Sequence, residues 1–423
     1  MPRNRNNQPL RGLLSFPYQS MNNKDKFGFY QVGNDTFYSR VEAVEYSKRS
    51  NQSIHWNFND HVFGQFDWKT EPPVPLEQLY AERARQIREQ YDYIVIWYSG
   101  GADSHNVLSS FVKNNIPVDE IAQFVNYEGS GTWDSYLNEE VAKVAIPESK
   151  RLQEQYPHIK HRLVDLTPII KNLYKIDNNQ SDFIYKANRV FSPNQLSRTY
   201  LREQIKDYAD IIDSGKSLCF VWGSEKPSIR TIDGQRCVYF ADLIDNAVGV
   251  RTQQLNRSWE HDELFYWTPD MPEIVCKQAH IIKRFLDSVN QSTVDDYVAK
   301  GYVKKIDNIN KGRLRGEILI GTDEYTLDVQ FMHTLIYPWW DPATFSNGKN
   351  PSGIFSHRDL WWFLDKNEKD RQLFKYAIEK LKTTVGKENL LFADQNPTDI
   401  KAADLNPMHL NVAPLLSCLY PIE

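Results

Sequence analysis

Residues 94–98, Ile-Val-Ile-Trp-Tyr, are apolar without interruption, the pattern of a short strand covered on both faces. The run stops at Ser99-Gly100-Gly101, and beyond Asp103 and Ser104 the apolar residues Val107, Leu108, Phe111 and Val112 recur at helical spacing. The same alternation continues downstream. Strands are predicted at 120–126, 161–166 and 217–222. Helices are predicted over 136–156, interrupted near Pro147, and within 191–213, where Leu196, Tyr200, Leu201, Ile205, Ile211 and Ile212 share a face. Strands alternating with helices predict an α/β fold, a doubly wound parallel sheet, with ligands outside the carboxyl ends of its strands.

The flanks pattern differently. Two aromatic strand-like runs, 27–32 and 54–58, enclose a helix over 41–49 and form a small α+β lead-in. Glu71-Pro72-Pro73-Val74-Pro75 reads as a stiff linker. It feeds an amphipathic helix with Leu76, Leu79, Tyr80, Ile87 and Tyr91 on one face. Asp233-Gly234 between two apolar runs, 229–232 and 237–240, is a hairpin signal. The stretch 258–290 predicts a helix after Pro272, with Ile274, Val275, Ala279, Ile282 and Phe285 inward. From about 295 the chain becomes an aromatic-rich α+β region, with a hairpin of 314–320 and 325–331 and an amphipathic helix over 370–384. Two aromatic stretches, 337–342 and 357–363, are read first as anchors that dock this region on the sheet domain, with a base-stacking platform as the alternative. The expected domains are therefore 1–74, 75–294 and 295–423.

Length and composition narrow the class. A chain of 423 residues with 41% hydrophobic and 25% charged content has room for several cores. A net charge of −5 argues against a broad nucleic-acid-binding face. The arm at 1–12, with Arg3, Arg5 and Arg11, is a small basic exception that reads as solvated. Cys219, Cys237, Cys276 and Cys418 are widely spaced with no C-x-x-C pair, which supports neither a zinc site nor a disulfide framework. No apolar run reaches membrane-spanning length, so a soluble, cytoplasmic protein without membrane contact is expected.

A strand that turns through glycines into a helix leaves several N–H groups pointing into one concavity, at the positive end of the helix dipole. Two adjacent glycines let an anion approach without meeting a Cβ atom. Ser99, Gly100, Gly101, Ala102, Asp103 and Ser104 read S-G-G-A-D-S. This resembles the phosphate-binding loop of the N-type ATP pyrophosphatases, the PP-loop family, whose motif is S-G-G-x-D-S. The resemblance is nearest to the synthetase half of asparagine synthetases, covers roughly 75–290, and is specific only at 99–104. It implies an ATP- and Mg²⁺-dependent enzyme that cleaves ATP to AMP and pyrophosphate. Such an enzyme adenylates a carboxylate or carbonyl oxygen of a small acceptor and lets a nitrogen nucleophile displace AMP. It further implies that residues 99–104 hold the pyrophosphate, that Asp103 holds Mg²⁺ as a catalytic residue, and that the strand end at Phe124 to Tyr127, Val125 included, lies near the adenine. Glutamine-dependent asparagine synthetases place a cysteine after the initiator Met, whereas this chain begins Met1-Pro2-Arg3. The nitrogen is therefore expected from free ammonia, an amine substrate or a separate ammonia-supplying subunit. The plainer reading of the loop is a strand–turn–helix in which Asp103 and Ser104 only cap the helix.

Three further candidates follow from position. Gly223-Ser224-Glu225-Lys226-Pro227 ends an apolar strand, where chemistry belongs in this architecture. Gly223 is a candidate ATP contact, and Glu225 and Lys226 are candidate catalytic residues, matching the family's second segment only loosely; solvated loop charges are the alternative. Lys277 resembles a late-helix lysine that reaches phosphate in the family, with an ordinary surface lysine as the alternative. An enzyme acting on a nucleobase or tRNA is the second functional class, and a non-catalytic ATP-binding interaction module the third.

Overall fold

The computed structural model describes residues 25–125, 141–172, 205–223, 226–242, 260–290, 292–306, 319–320, 325–341 and 415–423, with 379, 382–383 and 386. Glu225, the arm at 1–12, residues 126–140, residues 191–204 and the stretch 357–363 lie outside these, as does nearly all of the segment 370–384.

The N-terminal part is an antiparallel sheet, β1 (Phe29–Val32), β2 (Asp35–Phe37) and β3 (Ile54–Asn57), in the order β2-β1-β3. It carries α1 (Arg40–Ser50), whose N-cap Ser39 accepts a hydrogen bond from the Glu42 amide. A short helix, α2 (Asp60–Phe63), follows. Neither β2 nor α2 was expected, because three- and four-residue elements show no period.

After the proline linker, α3 (Leu76–Gln90) buries Leu76, Leu79, Tyr80 and Ile87, and leads into β4 (Tyr93–Trp97). Next come α4 (Ala102–Val112), β5 (Glu120–Val125), a π-helical turn at Val141–Ala145, α5 (Ile146–Gln155) and β6 (Lys160–Asp165). The chain returns through α6 (Lys206–Asp213) to β7 (Leu218–Trp222), makes the hairpin β8 (Ser228–Ile232) and β9 (Gln235–Tyr239), and reaches β10 (Glu260–Leu264). Apart from the β8–β9 hairpin, these strands form a five-stranded, all-parallel sheet in the order β10-β7-β4-β5-β6. Successive strands run outward from β4 to β6, then restart on the other side of β4 at β7. The switch point is therefore between β4 and β7, and a crevice opens there at the carboxyl ends.

Helices cover both faces. Val95 aligns with both Glu120 and Phe220, so these two share a face, and Tyr208 of α6 lies edge-on to Phe220 at 5.2 Å and donates to Glu120 at 2.6 Å. Gln123 points the opposite way and donates to Ser149 of α5 at 2.6 Å. At the carboxyl ends Trp97, Phe124 and Trp222 stack, the first two with ring centroids 3.9 Å apart. The indole of Trp222 donates to Asp262 of β10 at 2.7 Å, which ties the strand ends into one rigid layer.

The last described elements are α7 (Glu273–Ser288), α8 (Val294–Ala299), β11 (Val303–Lys305), β12 (Leu319–Ile320), β13 (Tyr325–Leu327), α9 (Val329–Ile336) and β14 (Tyr420–Pro421). The strand expected to run to 331 ends at Leu327, because Asp328 accepts a hydrogen bond from the Phe331 amide and caps α9. β14 adds to the edge of β9. One contiguous cluster of buried residues runs from Phe27 through the sheet to Ile422, across all three expected segments. Its densest part is aromatic: Phe63 stacks on Phe240 at 4.5 Å, and Trp68 on Tyr420 at 5.1 Å. No helix among the described residues is long and apolar enough to cross a membrane.

Candidate functional site

The loop sits at the switch point. Gly100 takes φ +84°, a left-handed conformation that a side chain resists, and a Cβ there would lie 3.1 Å from Val144 and from the Ala145 amide. Gly101 is the N-cap of α4, and the first intrahelical bond runs from the His105 amide to the Gly101 carbonyl at 2.9 Å. The amides of Ala102, Asp103 and Ser104 in the first turn therefore have no intrahelical acceptor. Two hydroxyls hold the turn shut. Ser99 Oγ accepts from the Gly101 amide at 3.2 Å, while Ser104 Oγ accepts from the Ser99 amide at 3.2 Å and donates to the Gly101 carbonyl at 3.1 Å.

Asp103 and Ser104 are not simple caps. The N-cap is Gly101, and the Asp103 side chain leaves the helix to meet three groups from distant sequence. Lys226 Nζ lies 2.8 Å from Oδ2, the Tyr337 hydroxyl donates to Oδ1 at 2.6 Å, and His333 Nε2 stands 3.9 Å from Oδ1. The main-chain carbonyl of Asp103 accepts from the Tyr266 hydroxyl at 2.8 Å, and that hydroxyl accepts from the Asn106 amide group at 3.0 Å. Burial pushes the Asp103 carboxyl up, but the Lys226 ammonium, His333 and the two hydrogen bonds outweigh it and hold the group down at about 2. The carboxylate is anionic at neutral pH, and with a side chain 28% exposed it remains open to the crevice.

Gly223 brings the end of β7 against this turn: a Cβ there would lie 3.0 Å from the Asp103 carbonyl and the Ser104 amide, both backbone. Its contribution is close approach, with no room for a larger residue. Three residues on, Lys226 reaches Asp103, so two candidates 123 positions apart in sequence meet. Val125 ends β5 with its side chain fully buried, which leaves only its main chain for a ligand at that edge.

Lys277 is not brought to the loop. Its ammonium is engaged by the Glu71 carboxylate at 2.7 Å and the Pro72 carbonyl at 2.9 Å, so this lysine fastens α7 to the proline linker. An amphipathic helix shows which residues face inward, not which neighbour its charged residues will find.

Tyr266, His333 and Tyr337 were not singled out for the site. Tyr337 belongs to the aromatic stretch read as a docking anchor, and it does dock: its ring stacks on Tyr266 at 5.4 Å, Trp339 lies 6.2 Å from Tyr80, and Tyr80 donates to the Ile336 carbonyl at 2.7 Å. The same docking delivers its hydroxyl to Asp103. His105, one residue past the motif, meets the Tyr98 hydroxyl at Nδ1, 3.2 Å away, and burial lowers it to about 4, so it is a neutral imidazole. The arrangement offers an anion cradle of helix amides beside a fixed lysine and a fixed carboxylate. No protein-family model and no curated protein sequence matches the chain.

Proposed function

We propose that the chain is an ATP-dependent ligase of the PP-loop type, which splits ATP into AMP and pyrophosphate while adenylating a carboxylate or carbonyl oxygen of a small acceptor. The observation that carries this reading is the meeting of the S-G-G-A-D-S loop with Lys226 at the switch point of a parallel sheet. The first-turn amides of α4 and the Lys226 ammonium suit a polyphosphate. Among the described residues Asp103 is the carboxylate beside the loop, and its fixed, anionic oxygens would suit Mg²⁺, an oxygen-seeking ion that needs few protein ligands. When bound there, Mg²⁺ supplies positive charge against the leaving pyrophosphate.

The acceptor oxygen attacks the α-phosphorus, the bond to the bridging oxygen breaks, and negative charge grows on pyrophosphate. Amides fixed by the Ser99–Ser104 hydroxyl pair need no reorganisation to meet that charge. Without nucleotide Lys226 is neutralised by Asp103, and an arriving polyphosphate gives it a second anionic partner. Tyr337 and Tyr266 keep Asp103 from following. A nitrogen nucleophile then displaces AMP from the adenylate, giving an amide or related bond.

Two experiments test the reading. With Mg²⁺ and a panel of carboxylate and carbonyl acceptors, the nucleotide products separate as AMP and pyrophosphate; ADP as the main product overturns it. Lys226→Ala lowers turnover by roughly 10²–10³-fold while ATP affinity changes far less, because the contact strengthens as charge develops. An unchanged rate returns Lys226 to a structural partner of Asp103.

A further inference from the structure

Away from the loop, three metal-ligating side chains from both ends of the chain meet at one point. His55 lies in β3, Asp60 opens α2, and Cys418 precedes β14. His55 Nε2 is 3.1 Å from Asp60 Oδ2, Cys418 Sγ is 3.4 Å from the same oxygen, and the three donor atoms lie within 4.8 Å of one another. A tetrahedral ion with bonds of about 2.0 Å to nitrogen and oxygen and about 2.3 Å to sulfur requires its ligands to stand roughly 3.3–3.8 Å apart.

We propose that His55, Asp60 and Cys418 form a site for a zinc-type divalent transition ion, with the fourth position open to solvent. The donor set selects the metal. An imidazole nitrogen and a thiolate suit zinc and its neighbours, whereas calcium and magnesium require oxygen ligands. The surroundings prepare the carboxylate. The Tyr420 hydroxyl donates to Asp60 Oδ1 at 2.8 Å, which fixes the group and leaves Oδ2 facing His55 and Cys418. The Asp60 amide is held in turn by Asn57 Oδ1 at 3.3 Å. The site has an entry path, since the His55 side chain is 47% exposed, that of Asp60 15%, and Cys418 is exposed. Without the ion, Oδ2 receives hydrogen bonds from the imidazole and the thiol; on binding, the thiol proton leaves to solvent, the imidazole carries its proton on Nδ1 instead of Nε2, and three coordinate bonds replace the hydrogen bonds.

Such an ion fastens two parts of the chain. Cys418 leads into β14, and β14 pairs with β9 of the hairpin that follows Lys226, while His55 and Asp60 belong to the N-terminal sheet and its short helix. The widely spaced cysteines gave no zinc signal, because spacing rules recognise ligands that are neighbours in sequence. Here Asp60 and Cys418 are 358 positions apart.

The test uses the full chain, reduced, stripped with chelator and titrated with Co²⁺ and then Zn²⁺. Wild type is expected to take up one equivalent of Co²⁺ with a thiolate-to-metal charge-transfer band, which Zn²⁺ displaces. Cys418→Ser is expected to abolish the band, and His55→Ala to weaken Zn²⁺ binding by roughly tenfold or more. Tyr420→Phe keeps the band and loses roughly tenfold in affinity, the cost of removing a group that orients a ligand. Cys418 and His55 are exposed, so both variants should match wild type in circular dichroism without metal. A reduced wild type without the band, or a band that persists in Cys418→Ser, overturns the site. Neither readout depends on ATP turnover.

Discussion

Asp103→Asn is expected to lower ATP turnover by roughly a thousandfold or more while the fold survives. The carboxylate is held anionic at about 2 by Lys226, His333 and the Tyr337 hydroxyl against the effect of burial. An amide keeps the shape and can still accept from Tyr337. It neither attracts Mg²⁺ nor neutralises Lys226, and losing several kcal/mol of charge stabilisation corresponds to about three decades in rate. The measurement is AMP and pyrophosphate release at saturating ATP and Mg²⁺, with circular dichroism matched to wild type and ATP affinity taken separately. Turnover within a few-fold of wild type would leave Asp103 as an anchor for Lys226 and remove it from the chemistry.

The second large effect is on stability. Glu263 in β10 is fully buried and accepts from Lys26, from Arg83 at 2.6 Å and from the Tyr91 hydroxyl. Burial pushes its carboxyl up, but the charges of Lys26 and Arg83 and the hydrogen bonds from Lys26 and Tyr91 pull it to about 2 from an ordinary value of 4.5. Glu263→Gln removes the charge and, among the described residues, leaves Asp270 as the carboxylate facing Lys26 and Arg83, at 3.6 and 3.4 Å. Breaking one side of a buried ion cluster costs about 3–5 kcal/mol, to be read as a lower urea midpoint at unchanged slope. The sign with pH follows from the direction of the shift. A depressed folded-state value means that the unfolded chain binds the proton first as acid is added. The stabilisation is complete above about 4.5 and fades as pH falls towards 2. The variant should lack that portion of the acid dependence, and a loss below about 1 kcal/mol would contradict the account.

Glu263 also shows why the sequence was only partly readable. The strands at 93–97, 120–125, 160–165 and 218–222 are apolar enough to be seen locally, and with them the parallel sheet and the loop that leaves β4. β10 was missed because Glu-His-Asp-Glu-Leu reads as surface. It is a buried strand only because Lys26, Arg83 and Tyr91 satisfy Glu263 and Trp222 satisfies Asp262. With β10 hidden, the residues just past its carboxyl end were hidden too, Tyr266 among them. The S-G-G-A-D-S turn was legible because its chemistry is local: glycines for conformation and hydroxyls five positions apart. Tyr337 and His333 were not, because their relation to Asp103 exists only after α9 has docked. Lys277 shows the same limit in reverse, since Glu71 and Pro72 engage its ammonium from a segment that reads only as a linker.

The contact between Tyr337 and Asp103 spans 234 positions of the chain. During synthesis the loop, α4 and the first three strands of the parallel sheet leave the ribosome long before their closing partners. At about 5–20 residues per second, the hydroxyl that holds Asp103 arrives roughly 10–50 s after the carboxylate it meets. For about the first half of that interval β4 presents an unpaired edge, because β7 is still to come, and Asp103 lacks Lys226 as well as Tyr337. A nascent chain is therefore unable to assemble the site early, and ribosome-bound fragments stopped before 337 should expose the β4–α4 turn to protease that the finished protein resists.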